Sequence, residues 1–281
     1  MKKLLCTGLA LFLLVSCQDD DSTTNPTTTK GANYTTTETA YNKGEVVSIN
    51  EYTFKGGRPD GTKSYSPTNN VLYSYSKYSY DNDNKLTGLK SYNAENVVQA
   101  DVKYFYDNQD RLVKMIIKYL TYTSQYTFKY NSDNTITGEQ TSSDGYGFKK
   151  TWYINNEGLI YKEVDISGPG YSYEITFDGR NAISGKSDTG AINTFEYDNE
   201  HDLSLIGNAP EFGDYLPNQV LQKYYLDTAE TNVATKYLTR KLFNGKVREQ
   251  HNWEFDSYGR PTKHAFIYEG ETLSITTYKF D

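Results

Sequence analysis

Residues 104–112 read Tyr104-Phe105-Tyr106-Asp107-Asn108-Gln109-Asp110-Arg111-Leu112, and this stretch decides the fold. Two aromatics at i and i+2 fall on one face of a β-strand, and an aspartate immediately after them bonds its own backbone to begin a turn. Near the turn's end Gly, Asn or Asp tolerates left-handed backbone, as Gly158 and Gly259 do in related copies, and the chain reverses. An aliphatic residue, here Leu112, restarts the next strand.

The unit recurs along the chain. Tyr78, Tyr80 and Asp81 lead to Lys85 and Leu86; Phe128, Tyr130 and Asn131 lead to Thr135 and Ile136. Further copies stand at Trp152, Ile154 and Asn155, at Phe177 and Asp178, at Phe195, Tyr197 and Asp198, and at Trp253, Phe255 and Asp256, with a half-unit at Tyr278, Phe280 and Asp281. Successive second anchors from Tyr80 to Tyr197 are 26, 24, 24, 23 and 20 residues apart, and Phe255 to Phe280 is 25. The gap of 58 between Tyr197 and Phe255 fits one degenerate unit plus an insertion around Asn208 to Asn218, which Pro210 and Pro217 mark as a loop. A period of about 24 residues accommodates two strands and two turns, a β-hairpin per repeat. The predicted fold is all-β: an antiparallel meander of β-hairpin repeats, roughly sixteen to eighteen strands, curling under normal strand twist into an open or closed barrel-like sheet.

Trp253, Phe255, Asp256, Gly259 and Arg260 resemble the YD repeat of Rhs-type and teneurin-like proteins, whose signature runs Tyr-x-Tyr-Asp, two residues, Gly-Arg-Leu. Tyr104, Tyr106, Asp107, Arg111 and Leu112 match it at the same spacing, whereas Pro261 replaces Leu in the other copy and most units lack the Gly-Arg. The copies are diverged. Residues 39–281 together are similar to Bacteroidota lipoproteins of unknown function with a porin-like, YD-repeat-related fold. That resemblance implies an architecture and brings no activity or catalytic residues with it.

Ahead of the repeats, Lys2 and Lys3 precede an apolar run from Leu4 to Val15. The run is too short to cross a bilayer and reads as an export signal. Cys17 directly after Leu-x-Ser resembles the lipobox of bacterial lipoproteins, which implies a lipid-modified first residue of the mature chain. Gln18 to Asp21 resembles the signal that Bacteroidota use to send lipoproteins to the cell surface. The expected organisation is a signal peptide over 1–16, a lipidated Cys17 and polar tether over 17–38, and the repeat domain over 39–281. Two acyl chains exceed the anchoring threshold, so the expected partner is the outer membrane, held through Cys17 and exposed at the cell surface. With Cys17 acylated and Cys6 removed, no disulfide is expected.

Composition narrows the function. The formal charge of −7 becomes −9 once Lys2 and Lys3 leave with the signal, and no basic cluster is visible along the sequence. Nucleic acid and electrostatic adhesion to anionic lipid are therefore not expected. A lipid-embedded barrel is disfavoured too, because strands such as Asp101 to Tyr106 place Lys103 where a hydrocarbon belt needs apolar residues. The 28 tyrosines supply apolar contact whose hydroxyls still want partners.

Sites are sparse. His201, His251 and His264 form no paired-ligand motif, and no metal or cofactor is expected. His251 and His264 each lie about six residues from the turn at Ser257 to Gly259, so they can meet across it, but two exposed strand residues is the preferred reading. Asp81, Asp83 and Lys85 begin like a calcium loop without its later Gly and Glu, and read as an acidic turn. No Gly-x-Ser-x-Gly elbow is present, and Glu163, Asp165, Glu174 and Glu196 sit in ordinary strands, so no enzyme is expected. Trp152, Tyr153, Tyr171, Tyr173 and Trp253 are the candidate ligand-binding aromatics, against the simpler reading that ladders of rings stabilise the sheet. Ser22 and Thr228 match an Asp-Ser/Thr-small O-glycosylation sequon. The expected function is a non-catalytic binding or scaffolding lipoprotein with a glycan or envelope-protein partner; the alternatives are a cell-surface carbohydrate hydrolase and a structural part of outer-membrane assembly.

Overall fold

A computed structural model describes residues 33–56, 58–83, 85–168, 170–202 and 234–280. The ring opens with β1 (Tyr34–Asn42), β2 (Glu45–Lys55), β3 (Arg58–Tyr65), β4 (Leu72–Tyr80) and β5 (Leu86–Asn93). It continues through β6 (Val98–Tyr106), β7 (Leu112–Tyr119), β8 (Thr123–Tyr130), β9 (Thr135–Ser142) and β10 (Gly147–Ile154). Then follow β11 (Ile160–Asp165), β12 (Tyr171–Asp178), β13 (Asn181–Ser187) and β14 (Ile192–Asp202). After the stretch outside the described residues come β15 (Lys236–Phe243), β16 (Lys246–Phe255), β17 (Pro261–Tyr268) and β18 (Glu271–Phe280).

Each strand pairs antiparallel with its sequence neighbours, and β1 pairs with both β2 and β18, so the 18-stranded sheet is a closed barrel. Closure leaves no strand edge for edge-to-edge association. β1 begins at Tyr34, inside the stretch expected to be tether. Its alternation explains this: Tyr34, Thr36 and Glu38 are buried inward, while the threonines between them face out.

The repeat's geometry is local. Asp107 Oδ1 accepts from the backbone N–H groups of Gln109 and Arg111, and Asp256 Oδ1 from those of Tyr258 and Arg260. Asp81 does the same for Asp83 and Lys85, so the calcium-like stretch is an acidic turn. Left-handed backbone falls three residues after the acid or amide, at Asp110, Asn134, Gly158 and Gly259, with φ of 62°, 57°, 80° and 76°. The ladder then slips by one residue at the second aromatic or its equivalent, at Phe54, Tyr80, Tyr106, Ile154, Phe177 and Phe255. These recurring bulges increase the local twist that bends the sheet towards closure.

Units also clamp one another. Tyr80, Tyr106, Tyr130 and Tyr197 donate their hydroxyls to the carbonyls of Pro59, Leu86, Leu112 and Ala182, each near the start of a strand in the preceding hairpin. The cation four residues after the turn acid lies over the next unit's ring: Lys85 over Tyr106 at 5.2 Å, Arg111 over Tyr130 at 4.3 Å and Arg260 over Phe280 at 4.8 Å. The guanidinium Nε of Arg111 and of Arg260 also donates to its own turn's aspartate at 2.8 Å. Burial resists the charge on Asp256, but donors from Arg260 and Tyr258 prevail and hold its carboxyl below the usual range. Asp256→Ala is expected to cost about 1–2 kcal/mol, since two turn N–H groups and one guanidinium lose their acceptor. A shift in urea midpoint at unchanged m-value checks this.

Candidate functional site

Inward positions of neighbouring strands are mainly aromatic near one end of the barrel and more polar further along. At the aromatic end Tyr34 stacks on Phe54 at 4.2 Å and packs against Phe280 at 5.5 Å, while Tyr237 packs against Trp253 and Phe255. One step along β16 to β2, the registered row is Trp253, His264, Thr276, Glu38 and Asn50. Thr36, Glu38, His264, Ser274 and Thr276 are all buried.

Glu38 is held within the wall. Its Oε2 accepts from the Tyr52 hydroxyl at 3.1 Å and Asn50 Nδ2 at 3.3 Å. Burial first, and then the nearby Glu38 charge, push the Tyr52 and Tyr278 phenols far above their ordinary range, so both remain neutral donors.

Beside it lies the histidine pair. His251 Nδ1 and His264 Nε2 are 3.0 Å apart with the rings 3° from parallel, and the Trp253 ring lies 3.9 Å from that of His264. The two histidines do meet across the turn, and His264 is only 3% exposed, so the reading of two exposed strand residues is corrected. Inward alternation of β16 and β17 puts both rings on the packed face. Burial, reinforced by His251, lowers the His264 pKa from 6.5 to about 3. His264 Nδ1, His251 Nε2 and Thr276 Oγ1 are buried without a hydrogen bond. The Glu249 carboxylate lies 3.9 Å from His251 Nε2, at ion-pair distance but beyond hydrogen-bond reach. Among the described residues no three His, Cys, Asp or Glu side chains converge on a point.

A second buried carboxylate, Glu163, accepts from Trp152 Nε1 at 2.8 Å and Lys150 Nζ at 2.9 Å. Glu38 and Glu163 stand on β1 and β11, well separated around the ring, and each is already bonded within its own wall. Glu174 and Glu196 face outward in ion pairs with Lys162 and Arg240, while Asp165 bonds the Ser167 N–H. The four acids considered from sequence are thus engaged at separate places, with no shared cleft among them.

The five candidate aromatics do not form one platform. Trp152 and Tyr173 are buried inward, Trp253 is partly buried beside His264, and Tyr153 meets Tyr161 edge-on at 6.3 Å. Tyr171 is 45% exposed. Cys17, Ser22 and Thr228 lie outside the described residues. Sequence reasoning missed Glu38, Tyr52 and Thr276, whose only signal is alternation in Thr-rich and Tyr-rich strands, and read Tyr278 only as a repeat anchor.

No protein-family model and no curated protein matches the chain. Among solved structures it is similar to a porin-like protein from Bacteroides uniformis at 13% identity, covering 92% of this chain and 100% of that one with a TM-score of 0.47. It is also similar to a TcdB2-TccC3-Cdc42 structure at 10% identity, covering 80% of this chain and 14% of that one with a TM-score of 0.29.

Proposed function

We propose that this chain is a non-catalytic binding or scaffolding lipoprotein of the cell envelope: a closed barrel of diverged YD repeats, tethered through a lipid on Cys17 and displayed at the cell surface. The observation that supports it most is the opposite character of the two barrel faces. The inward acids and histidines described above are buried and bonded within the wall, whereas the outward face carries cross-strand ion pairs such as Lys63 with Glu51 and Lys263 with Glu254. A charged outer wall suits water and a partner rather than hydrocarbon. The Asp107 to Arg111 and Asp256 to Arg260 pairs support the repeat assignment, because the signature places Asp and Arg at that spacing.

Replacing Cys17 by alanine in the producing bacterium tests the anchor. The expected result is incorporation of a labelled acyl chain by the parent alone, with the variant leaving the membrane fraction while retaining the parent's far-ultraviolet circular dichroism and melting temperature. A variant that stays in membranes, or that cannot fold, contradicts the reading. Surface display predicts that proteinase K added to intact cells shaves the barrel.

A further inference from the structure

We propose that the outward face of β4 to β8 is a docking surface for a linear polyanionic polysaccharide, of the sulfated or uronate class. This rests on the reading of the barrel as a binding module and names the chemistry of its partner.

These five strands carry six lysines, at positions 77, 90, 103, 114, 118 and 129, and a single acid, Asp101. In sequence the lysines are scattered, but register assembles them. Lys77 faces Lys90, Lys90 faces Asp101, and Asp101 faces Lys118 across successive strands. Lys103 lies two residues beyond Asp101 on the same face, Lys114 sits opposite Phe105, and Lys129 lies two beyond the Thr127 that faces Lys114. With strands about 4.8 Å apart, the result is a continuous diagonal staircase of charge about 20 Å across.

Elsewhere on the outer wall, Lys63, Lys162, Arg240 and Lys263 each face a registered carboxylate and bond it. On the staircase only Lys90 reaches an acid, Asp101 at 3.8 Å, while Lys77 and Lys114 lie over the rings of Tyr75 and Phe105. Like charges directly opposite each other destabilise a sheet, so the Lys77 to Lys90 juxtaposition is a cost that Asp101 relieves at Lys90 alone. In a chain of net charge −7 this patch creates a local positive field.

The surrounding chemistry selects the polyanion. Between the lysines stand Ser79, Gln125 and Thr127, short hydroxyl and amide groups matched to sugar hydroxyls, and Phe105 leaves 42% of its surface exposed for a ring face. A flat bilayer touches a convex wall along a line, whereas a flexible polysaccharide can follow the curve.

The test uses the full-length protein purified from membranes in non-ionic detergent, titrated with dextran sulfate, polygalacturonate, neutral dextran, single-stranded oligothymidylate and anionic vesicles. The expected result is binding of the two acidic polysaccharides but not neutral dextran, weakening with salt. K77Q/K103Q/K114Q should weaken it at least about tenfold and flatten the salt dependence, since three released counterions are lost. K63Q/K162Q/K263Q removes the same charge from the remaining wall and should leave binding unchanged. Equal losses in both triples, tighter binding of oligothymidylate or vesicles, or no polysaccharide binding by the parent at low salt would each overturn the proposal. Cys17-dependent fractionation is read separately, so failure of the patch and failure of the anchored-module reading remain distinguishable.

Discussion

Trp152→Ala is expected to destabilise the barrel by about 3–5 kcal/mol, the range for emptying a buried tryptophan site. Trp152 is 1% exposed, packs against Phe128 with ring centroids 6.4 Å apart, and lies over Gly138 so closely that a Cβ there would clash with its Cζ3 and Cη2. It also donates to Glu163, which Lys150 pairs at 2.9 Å. Truncation therefore opens a cavity and removes one donor from a buried carboxylate, leaving Lys150 as its remaining side-chain partner on β10.

A double-mutant cycle separates these effects. Gly138→Ala in the parent forces the ring aside and should cost about 1–3 kcal/mol or more, the usual range for overpacking. In the Trp152→Ala background the space is vacant, so the same change should cost little, and the coupling should appear as about 1–3 kcal/mol of non-additivity. Equal costs in both backgrounds would show that the ring does not need the glycine. Lys150→Met tests the charge arm: it removes the ammonium group bonded to the buried Glu163 carboxylate and should destabilise the barrel.

Much of the fold was legible because the repeat is written in local chemistry. The i, i+2 aromatics, the turn acid and the left-handed position lie within nine residues, and each does in space what its spacing implies. Closure was not legible, since Tyr34 pairs with Phe280 across almost the whole chain and β1 is a threonine-rich strand that reads as linker. Glu38 was hidden for the same reason: nothing in Thr-Thr-Glu-Thr distinguishes a buried carboxylate from an exposed one. The histidine pair was visible as a geometric option, but its burial depends on which face each strand turns inward, and the bulges decide that face. The absence of a basic cluster in sequence was misleading in space, because lysines separated by whole strands become neighbours through register.

As pH falls from 6.5 to about 4, the barrel is expected to lose about 3 kcal/mol of stability through His264 alone. The sign follows from its pKa, which drops from 6.5 in the unfolded chain to about 3 in the fold, so across this window the unfolded chain takes up a proton that the native ring refuses. His251 and Trp253 on β16 and Thr276 on β18 surround the ring, with Glu38 one strand further on β1 and Glu249 beside His251. Neither carboxylate pairs with His264 itself: Glu38 is bonded to Tyr52 and Asn50, and Glu249 pairs with His251 at 3.9 Å. Asp107, Asp198, Asp256 and Glu249 also have depressed pKa values, but groups of that kind withdraw stability as pH falls through and below the ordinary carboxylate range. The interval above about pH 4.5 therefore belongs mainly to the histidine. Urea midpoints measured between pH 7 and 4.5 for the parent and His264→Asn, which cannot titrate there, should diverge, with the parent falling more steeply. Parallel profiles would mean that the native barrel admits the proton, and hence that water or a carboxylate reaches His264.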